Sequence, residues 1–427
     1  MKTVTYDIRL DSVSNGYDGK MCWVHVRGGA IPGKKPFVVM LMQKLLVSAS
    51  DVFCGIHDMY SYDMGKTWVG PTPQSAFGQV MKEDGVIERM SDFFPSYHKL
   101  SNKILATGQT IKYLNDQVII GARGQVAYVT YDLNKHSWTK PKMLKLPNDD
   151  SRFYATAAGC CQPYDLQNGD ILLPIAYGHK PLRDMFLPIN EFLRSSDDIK
   201  KSIDPEYATV VRCGFDGENL VAKDCGDEFG FSRDEILRQH GGKVEFFIDT
   251  GLCEPSLTRF RDKYFLTLRN GLTGYAASSE DGLHYDGIKP WTFDDGTNLG
   301  NYNTQQHWVT HSDGLFLVYT RRGANNDNVY RHRAPLFIGQ VDPDKLCVIR
   351  STERILVPNR GARLCNFGVA DVSHNETWVT VSEWMQNADI GPDLPVPDPF
   401  ACARYGSDNT IYAARIIWDT PNKLVSC

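Results

Sequence analysis

Histidine, tyrosine and arginine recur in this chain at the ends of strand-like runs, and these residue types move protons and hold carboxylates. His98 closes Pro95-Ser96-Tyr97-His98, Tyr154 follows Arg152-Phe153, and His307 stands in Gln305-Gln306-His307-Trp308. Arg333 ends the cluster Arg331-His332-Arg333, and Arg322 lies in Arg321-Arg322-Gly323-Ala324-Asn325-Asn326-Asp327. An Arg, Gln or His that neutralises a carboxylate acidifies the neighbouring C–H, and a His or Tyr can then abstract the proton. His98 and Tyr154 are candidates for that base, and Arg322 for holding the acid. The bland readings are as available: any one of these histidines, His57 included, can be a satisfied structural residue, and 321–327 can be a solvated loop. His307 and His311 alone have ligand-like spacing. They fall in a strand-turn stretch, where i and i+4 do not share a helical face, so neither a metal site nor a cofactor is expected.

Elements must position these residues, and composition limits which. At 427 residues the chain exceeds the size at which one ordinary core stops growing, so it holds several domains or a repeat architecture. Its 36 Gly and 22 Pro are scattered along the whole length, as many tight turns require, which favours repeats. The net charge of −5, with no basic run, argues against a nucleic-acid partner. The longest apolar run, Phe37 to Leu46, is too short to span a bilayer and contains Gln43 and Lys44. The eleven cysteines show no C-x-x-C spacing and read as small core residues. The start, MKTVTYDIRL, alternates like a strand and has no secretory apolar region. The expectation is a cytoplasmic protein, or a secreted or periplasmic one whose signal was removed.

Strand signals dominate: QVAYVTYDL (125–133), DILLPIAY (170–177), KYFLTLRN (263–270), LFLVYTRR (315–322), ETWVTVSEW (376–384) and TIYAARIIW (410–418). Only Asp184 to Ile203 and Ser232 to His240 read as short helices. One turn recurs. Ser61-Tyr62-Asp63-Met64-Gly65-Lys66-Thr67-Trp68 has the form S-x-D-x-G-x-T-W, in which Asp63 can accept bonds from its own turn and Gly65 can supply positive φ. Weaker copies place aspartates at 132, 216, 281, 342 and 408, at spacings of roughly 60–85 residues, about one four-stranded blade with its loops. The prediction is an all-β, six-bladed β-propeller forming a single domain over residues 1–427. A strand from Thr3–Leu10 or Cys22–Arg27 would complete the last blade and leave no open edge.

The turn at 61–68 resembles the Asp-box of the sialidase (neuraminidase) superfamily of BNR-repeat propellers. Glu254-Pro255-Ser256-Leu257 followed by Lys263 to Asn270 is similar to the sialidase segment in which a Glu opens one strand and Arg-Asn closes the next. Arg333 lies nine residues before Asp342, as the last arginine of the sialidase triad precedes its box. Ile31-Pro32 resembles the tail of the F/Y-R-I-P motif, and Asp51 falls where the family's acid/base Asp lies. The resemblance implies that Arg269 and Arg333 hold a sugar carboxylate, that Glu254 is the assisting carboxylate, and that Asp51 is the acid/base. Two departures stand out. Ala30 occupies the place of the first arginine, the nearest being Arg27, and Gly361 to Gly368 (GARLCNFG) contains no tyrosine for a nucleophile.

The resemblance therefore implies an exo-acting sialidase-like glycoside hydrolase on a terminal acidic sugar such as sialic acid, with an acidic oligosaccharide or glycoconjugate as partner. Two alternatives remain open at this stage. One is a polysaccharide lyase that cleaves a uronic-acid glycan by β-elimination and needs neither the tyrosine nor a third arginine. The other is a non-catalytic glycan-binding propeller.

Overall fold

Two-sided burial of the strands dictates the architecture. In Phe37–Leu46, Phe37, Val39 and Leu41 enter one apolar cluster while Val38, Met40 and Met42 enter two others. Ile171 and Leu173 likewise point away from Leu172, and Phe265 away from Leu266. Strands that are apolar on both faces need a sheet packed on each side, and a ring of stacked sheets supplies both.

The computed structural model, which describes residues 3–49, 51–82, 84–147, 151–244, 247, 250–388 and 398–425, is an all-β β-propeller. The first sheet runs in chain order through Met21–Ile31, Phe37–Leu46, Phe53–Ser61 and Val69–Pro73. The third, fourth and fifth begin at Ala155–Ala157, Cys253–Phe260 and His307–His311 and also run outward in chain order. The last contains Gly368–Ser373, Glu376–Trp384 and Ile411–Trp418, with Tyr6–Ser14 at its outer edge. These five have four or five strands each. The second sheet, built on Ile87–His98, Lys103–Leu114 and Val126–Asp132, has eight: the short strands Val80–Met81, Ser137–Trp138 and Lys142–Met143 join it, and Gln117–Ile120 and Leu187–Pro188 extend it. The expectation of six four-stranded blades is corrected: five sheets keep blade size, with four or five strands, and the second, with eight, departs from it. The insertion 179–206, which includes Leu187–Pro188, also holds the helices Ile189–Arg194 and Asp197–Lys200, in place of one helix over 184–203.

Neighbouring sheets touch through their inner strands. Met21–Ile31 lies against Ile87–His98 on one side and Gly368–Ser373 on the other. Cys253–Phe260 lies between Asp170–Gly178 and His307–His311, and the latter reaches Gly368–Ser373. At the outer edge of the last sheet Tyr6–Ser14 pairs antiparallel with Ile411–Trp418, from Tyr6 opposite Trp418 to Ser14 opposite Ile411. Cys22–Arg27, the other segment considered for this edge, is instead inside the first inner strand.

The recurring turn joins the third and fourth strands of its sheet. Asp63 accepts from the Thr67 amide at 2.9 Å and the Thr67 hydroxyl at 2.6 Å, and Ser61 Oγ donates to it at 2.9 Å. Asp132, Asp216, Asp281 and Asp342 accept from the amides two and three residues on in the corresponding connections. Asp408 does not belong to this set. It precedes Ile411–Trp418, so it stands before the third strand of its sheet, and its amide donates to Glu383 at 2.9 Å. The last sheet takes its outer strand from the start of the chain, so no box connection follows its third strand.

Gly65 has φ of +73°, and a Cβ there would lie 2.9 Å from the Trp378 ring of the last sheet. Gly65→Ala is therefore expected to lose about 1–3 kcal/mol of stability, read as a lower thermal or urea midpoint with unchanged secondary structure.

Candidate functional site

Inner strands converge on the propeller axis, and three of them break register there. The shifts fall between Val24 and Arg27, between Ser91 and Phe94, and between Cys253 and Ser256. Each break holds a non-glycine residue at positive φ: His25 at 54°, Asp92 at 65° and Glu254 at 44°. Cys160, at 61°, interrupts the inner edge of the third sheet between Ala155–Ala157 and Tyr164–Asp165. Bulges re-aim side chains, and strained backbone of this kind collects at functional sites. Here they gather polar groups from separate sheets at one end of the axis.

Arg269, at the end of the second strand of the fourth sheet, donates to Glu254 Oε1 at 2.7 Å and to Asn303 Oδ1 at 2.5 Å. Arg333 is 3% exposed, and its fork donates to the Asn303 carbonyl, from Nε at 2.9 Å and also from Nη2. One asparagine thus joins two arginines that are distant in sequence. Among the described residues Arg333 has no carboxylate within ion-pair distance. Burial lowers its pKa well below the ordinary arginine value, and the like charges of Arg269, Arg331 and Arg363 add to this, with Glu254 opposing. Arg363 is the third guanidinium of the group. It is 5% exposed, lies 3.9 Å over the Trp384 ring, donates to Gln386 at 2.8 Å, and leaves its Nε without a partner. Glu254 Oε2 and Asn366 Oδ1 are sealed and unpaired as well. Fixed donors around unbalanced positive charge can hold a planar anion.

Beneath lies a second network that is internally balanced. Arg27 is fully buried, 2.5 Å from Asp92, and it also donates to the Phe367 carbonyl at 3.1 Å and to Cys160 Sγ at 3.0 Å. The Cys160 thiol donates to Asp92 at 2.9 Å. His25 Nδ1 faces Asp92 at 3.1 Å. Burial pushes the Asp92 carboxyl up, but Arg27, His25 and the Cys160 thiol outweigh it and hold it at about 2. For His25 burial dominates over the attraction of Asp92, lowering its pKa to about 4.

The expected residues separate accordingly. Glu254, Arg269 and Arg333 come together. Asp51, exposed at φ of 52°, stands within electrostatic reach of His25 and Arg363. Arg27 is enclosed in the balanced network. Arg322 is exposed, lying 4.2 Å over the Tyr302 ring with one nitrogen on the Leu272 carbonyl. His98 is buried with both ring nitrogens occupied, by Ser101 Oγ at 2.8 Å and the Gly169 carbonyl at 3.0 Å. Tyr154 bonds the Gly121 carbonyl and lines a separate cleft with His179 and Glu206. Ala30 lines a cavity of about 360 Å³ with Pro95, Tyr164 and Thr258, at the other end of the inner strands, and none of the three site arginines lines it. His307 is fully buried between Ser256 Oγ and the Phe367 carbonyl, and His311 Nε2 donates to the Thr420 carbonyl at 3.0 Å. His25, Asp92 and Arg363 were not singled out from the sequence. Their signal is a polar residue interrupting an apolar inner strand at the same depth in successive units.

No protein-family model matches the chain, and no curated protein matches it. Among solved structures it is similar to a protein of unknown function from Dyadobacter fermentans, at 14% identity and TM-score 0.54, covering 96% of this chain and 99% of that one. It is also similar to Trypanosoma rangeli sialidase, at 11% identity and TM-score 0.52 over 92% of this chain. A Hadza microbial sialidase matches at 9% identity and TM-score 0.57 over 95%. The chain spans 55% and 66% of those two sialidases. The fold is the sialidase-like β-propeller.

The buried neutral histidines make acid stability testable. His25 and His307 have pKa values lowered, mainly by burial, from 6.5 to about 4 and about 3. Below pH 6.5 the unfolded chain takes up protons that the folded one refuses, so stability present above that pH falls as pH drops towards 4 and 3. Urea midpoints measured from pH 7 to pH 4 should decline, and His307→Gln, which can keep both bonds, should flatten that slope.

Proposed function

We propose that the chain is an exo-acting, sialidase-like glycoside hydrolase for a terminal carboxylate-bearing sugar such as sialic acid. The observation that carries this reading is Arg333, buried beside Arg269 and Arg363 with no carboxylate of its own. Several guanidinium groups in a desolvated site repel one another, and a bound carboxylate relieves that cost while satisfying their donors. Arg269 and Arg333 would take the sugar carboxylate, with Arg363 adding its positive charge nearby. Glu254 braces Arg269 and offsets part of the charge. Asp51, at the exposed edge, would protonate the leaving oxygen.

The sialidase-like fold supports this reading over β-elimination, and so do the positions of the bases proposed for a lyase. His98 has no free nitrogen, and Tyr154 faces another cleft. A purely glycan-binding propeller would not need the unpaired carboxylate oxygen of Glu254 next to the arginines. The same reading takes residues 1–427 as one domain, a ring of six blades whose last is completed by Tyr6–Ser14. The sheet contacts around the axis and the pairing of that strand support it.

A panel of sialosides, glucuronides and uronic-acid polysaccharides, assayed for released reducing sugar and for ultraviolet absorbance, tests the reading. Reducing sugar without a new chromophore is expected; an unsaturated product would favour a lyase instead. Arg269→Ala should weaken binding of the acidic sugar by about 2–5 kcal/mol and leave a neutral analogue almost unchanged. Equal losses on both would indicate collapse of the site.

A further inference from the structure

We propose that His25, oriented by Asp92, is the general base of this site and activates the water that attacks the sugar. The inference rests on the hydrolase reading and adds the residue that the resemblance leaves vacant.

The geometry begins at the backbone. His25 and Asp92 occupy equivalent bulges on adjacent inner strands, so their side chains meet at 3.1 Å, Nδ1 to Oδ1. Asp92 is fixed from the other side by Arg27 at 2.5 Å and Cys160 at 2.9 Å. An ionised carboxylate only accepts, so a favourable contact puts the ring proton on Nδ1 and the lone pair on Nε2. Nδ1–H and Oδ1 are not aligned as a regular hydrogen bond, and in empty sites such bonds commonly tighten when substrate binds. Among the described residues Nε2 makes no hydrogen bond, and the His25 side chain is 4% exposed. It faces the site. The His25 ring packs on Phe53 at 4.5 Å and on Trp384 at 5.9 Å, and Trp384 is the ring that carries Arg363. Asp51 and Arg333 complete the charged groups around it, with Asp92 and Arg27. The aromatic walls keep the imidazole neutral at ordinary pH, the form a base requires.

Among the described residues Glu254 is the other carboxylate beside the arginines, and it is engaged elsewhere. Glu254 hydrogen-bonds Arg269 and no tyrosine among the described residues, so it has no phenol to assist. A water on Nε2 gives a balanced step. His25 takes one proton of that water while its oxygen bonds to the anomeric carbon. The glycosidic C–O bond breaks, its electron pair leaves with the glycosidic oxygen, and Asp51 protonates that oxygen. The imidazolium then returns its proton to solvent, from which Asp51 is reprotonated. Asp92, Arg27 and Cys160 are positioning residues. A single displacement by water inverts the anomeric centre.

The experiment follows the first-formed anomer by proton NMR in the wild type and measures kcat and acidic-sugar affinity for His25→Gln and Asp92→Asn. Inversion is expected. His25→Gln should keep affinity for the acidic sugar within about threefold while kcat falls by about 100- to 10,000-fold. The acid limb of the kcat–pH profile should disappear with it. Asp92→Asn, which keeps shape but not charge, should lower kcat and move that limb; unchanged kcat in either folded variant overturns the dyad. Retention of configuration in the wild type also overturns it, without relying on any variant to fold. If the wild type cleaves no acidic sugar, the hydrolase reading itself falls and the dyad with it. Cleavage that proceeds equally well in His25→Gln removes the dyad alone.

Discussion

Everything in this molecule depends on strands that must be buried on both faces. The inner strand Met21–Ile31 sends alternate residues into two neighbouring apolar layers, Cys22 and Val24 into one and Trp23 into the other. A strand committed in this way has no side-chain direction left for the axis. The bulge resolves the conflict. One extra residue at positive φ frees a single side chain from the alternation and turns it inward, while the rest of the strand keeps its packing. His25, Asp92 and Glu254 are therefore consequences of the packing rule as much as exceptions to it.

The two charge networks at the axis differ in a way that magnitudes decide. Burying an ion costs several kcal/mol even after relaxation, so a buried charge persists where a partner repays that cost. Arg27 is repaid within the chain by Asp92, Cys160 and two carbonyls, and it holds the bulges of adjacent sheets in place. Among the described residues Arg333 is met by the Asn303 carbonyl and, at longer range, by Glu254, with three like charges nearby. Two arginines of equal burial thus play opposite parts. The balanced one is scaffold, and the unbalanced one carries a cost that an anionic ligand would remove.

The sequence made the ring legible because turn chemistry is local. Asp63, Asp132, Asp216, Asp281 and Asp342 mark one connection in five sheets, since an aspartate that accepts amides two to four residues ahead needs no tertiary context. Asp408 misled for the same reason. Spacing alone cannot tell a third-to-fourth connection from a second-to-third one when the fourth strand comes from the other end of the chain. Glu254, Arg269 and Arg333 were legible through strand-end motifs. Arg363 lay unnoticed in a segment searched for a tyrosine, and His25 and Asp92 read as polar breaks in apolar strands. Their meaning is set by residues far away in sequence, Asp92 for His25 and Trp384 for Arg363. His98 failed as a candidate because its partners, Ser101 and Gly169, make it a structural clasp between two sheets.

The bulges also bear on how one scaffold can serve different chemistries at identities of 9–14%. Apolar layers constrain the strands collectively, so volume and pattern persist while individual residues drift. A bulge residue breaks the alternation that fills those layers, so its identity is set by its polar partners rather than by the strand's apolar pattern. His25, Asp92, Cys160 and Glu254 come from four consecutive sheets, one from each, and meet at one end of the axis. Fold similarity therefore transmits the places where chemistry is installed rather than the chemistry itself. Here those places hold an imidazole, two carboxylates and a thiol, beside arginines that the neighbouring strands supply.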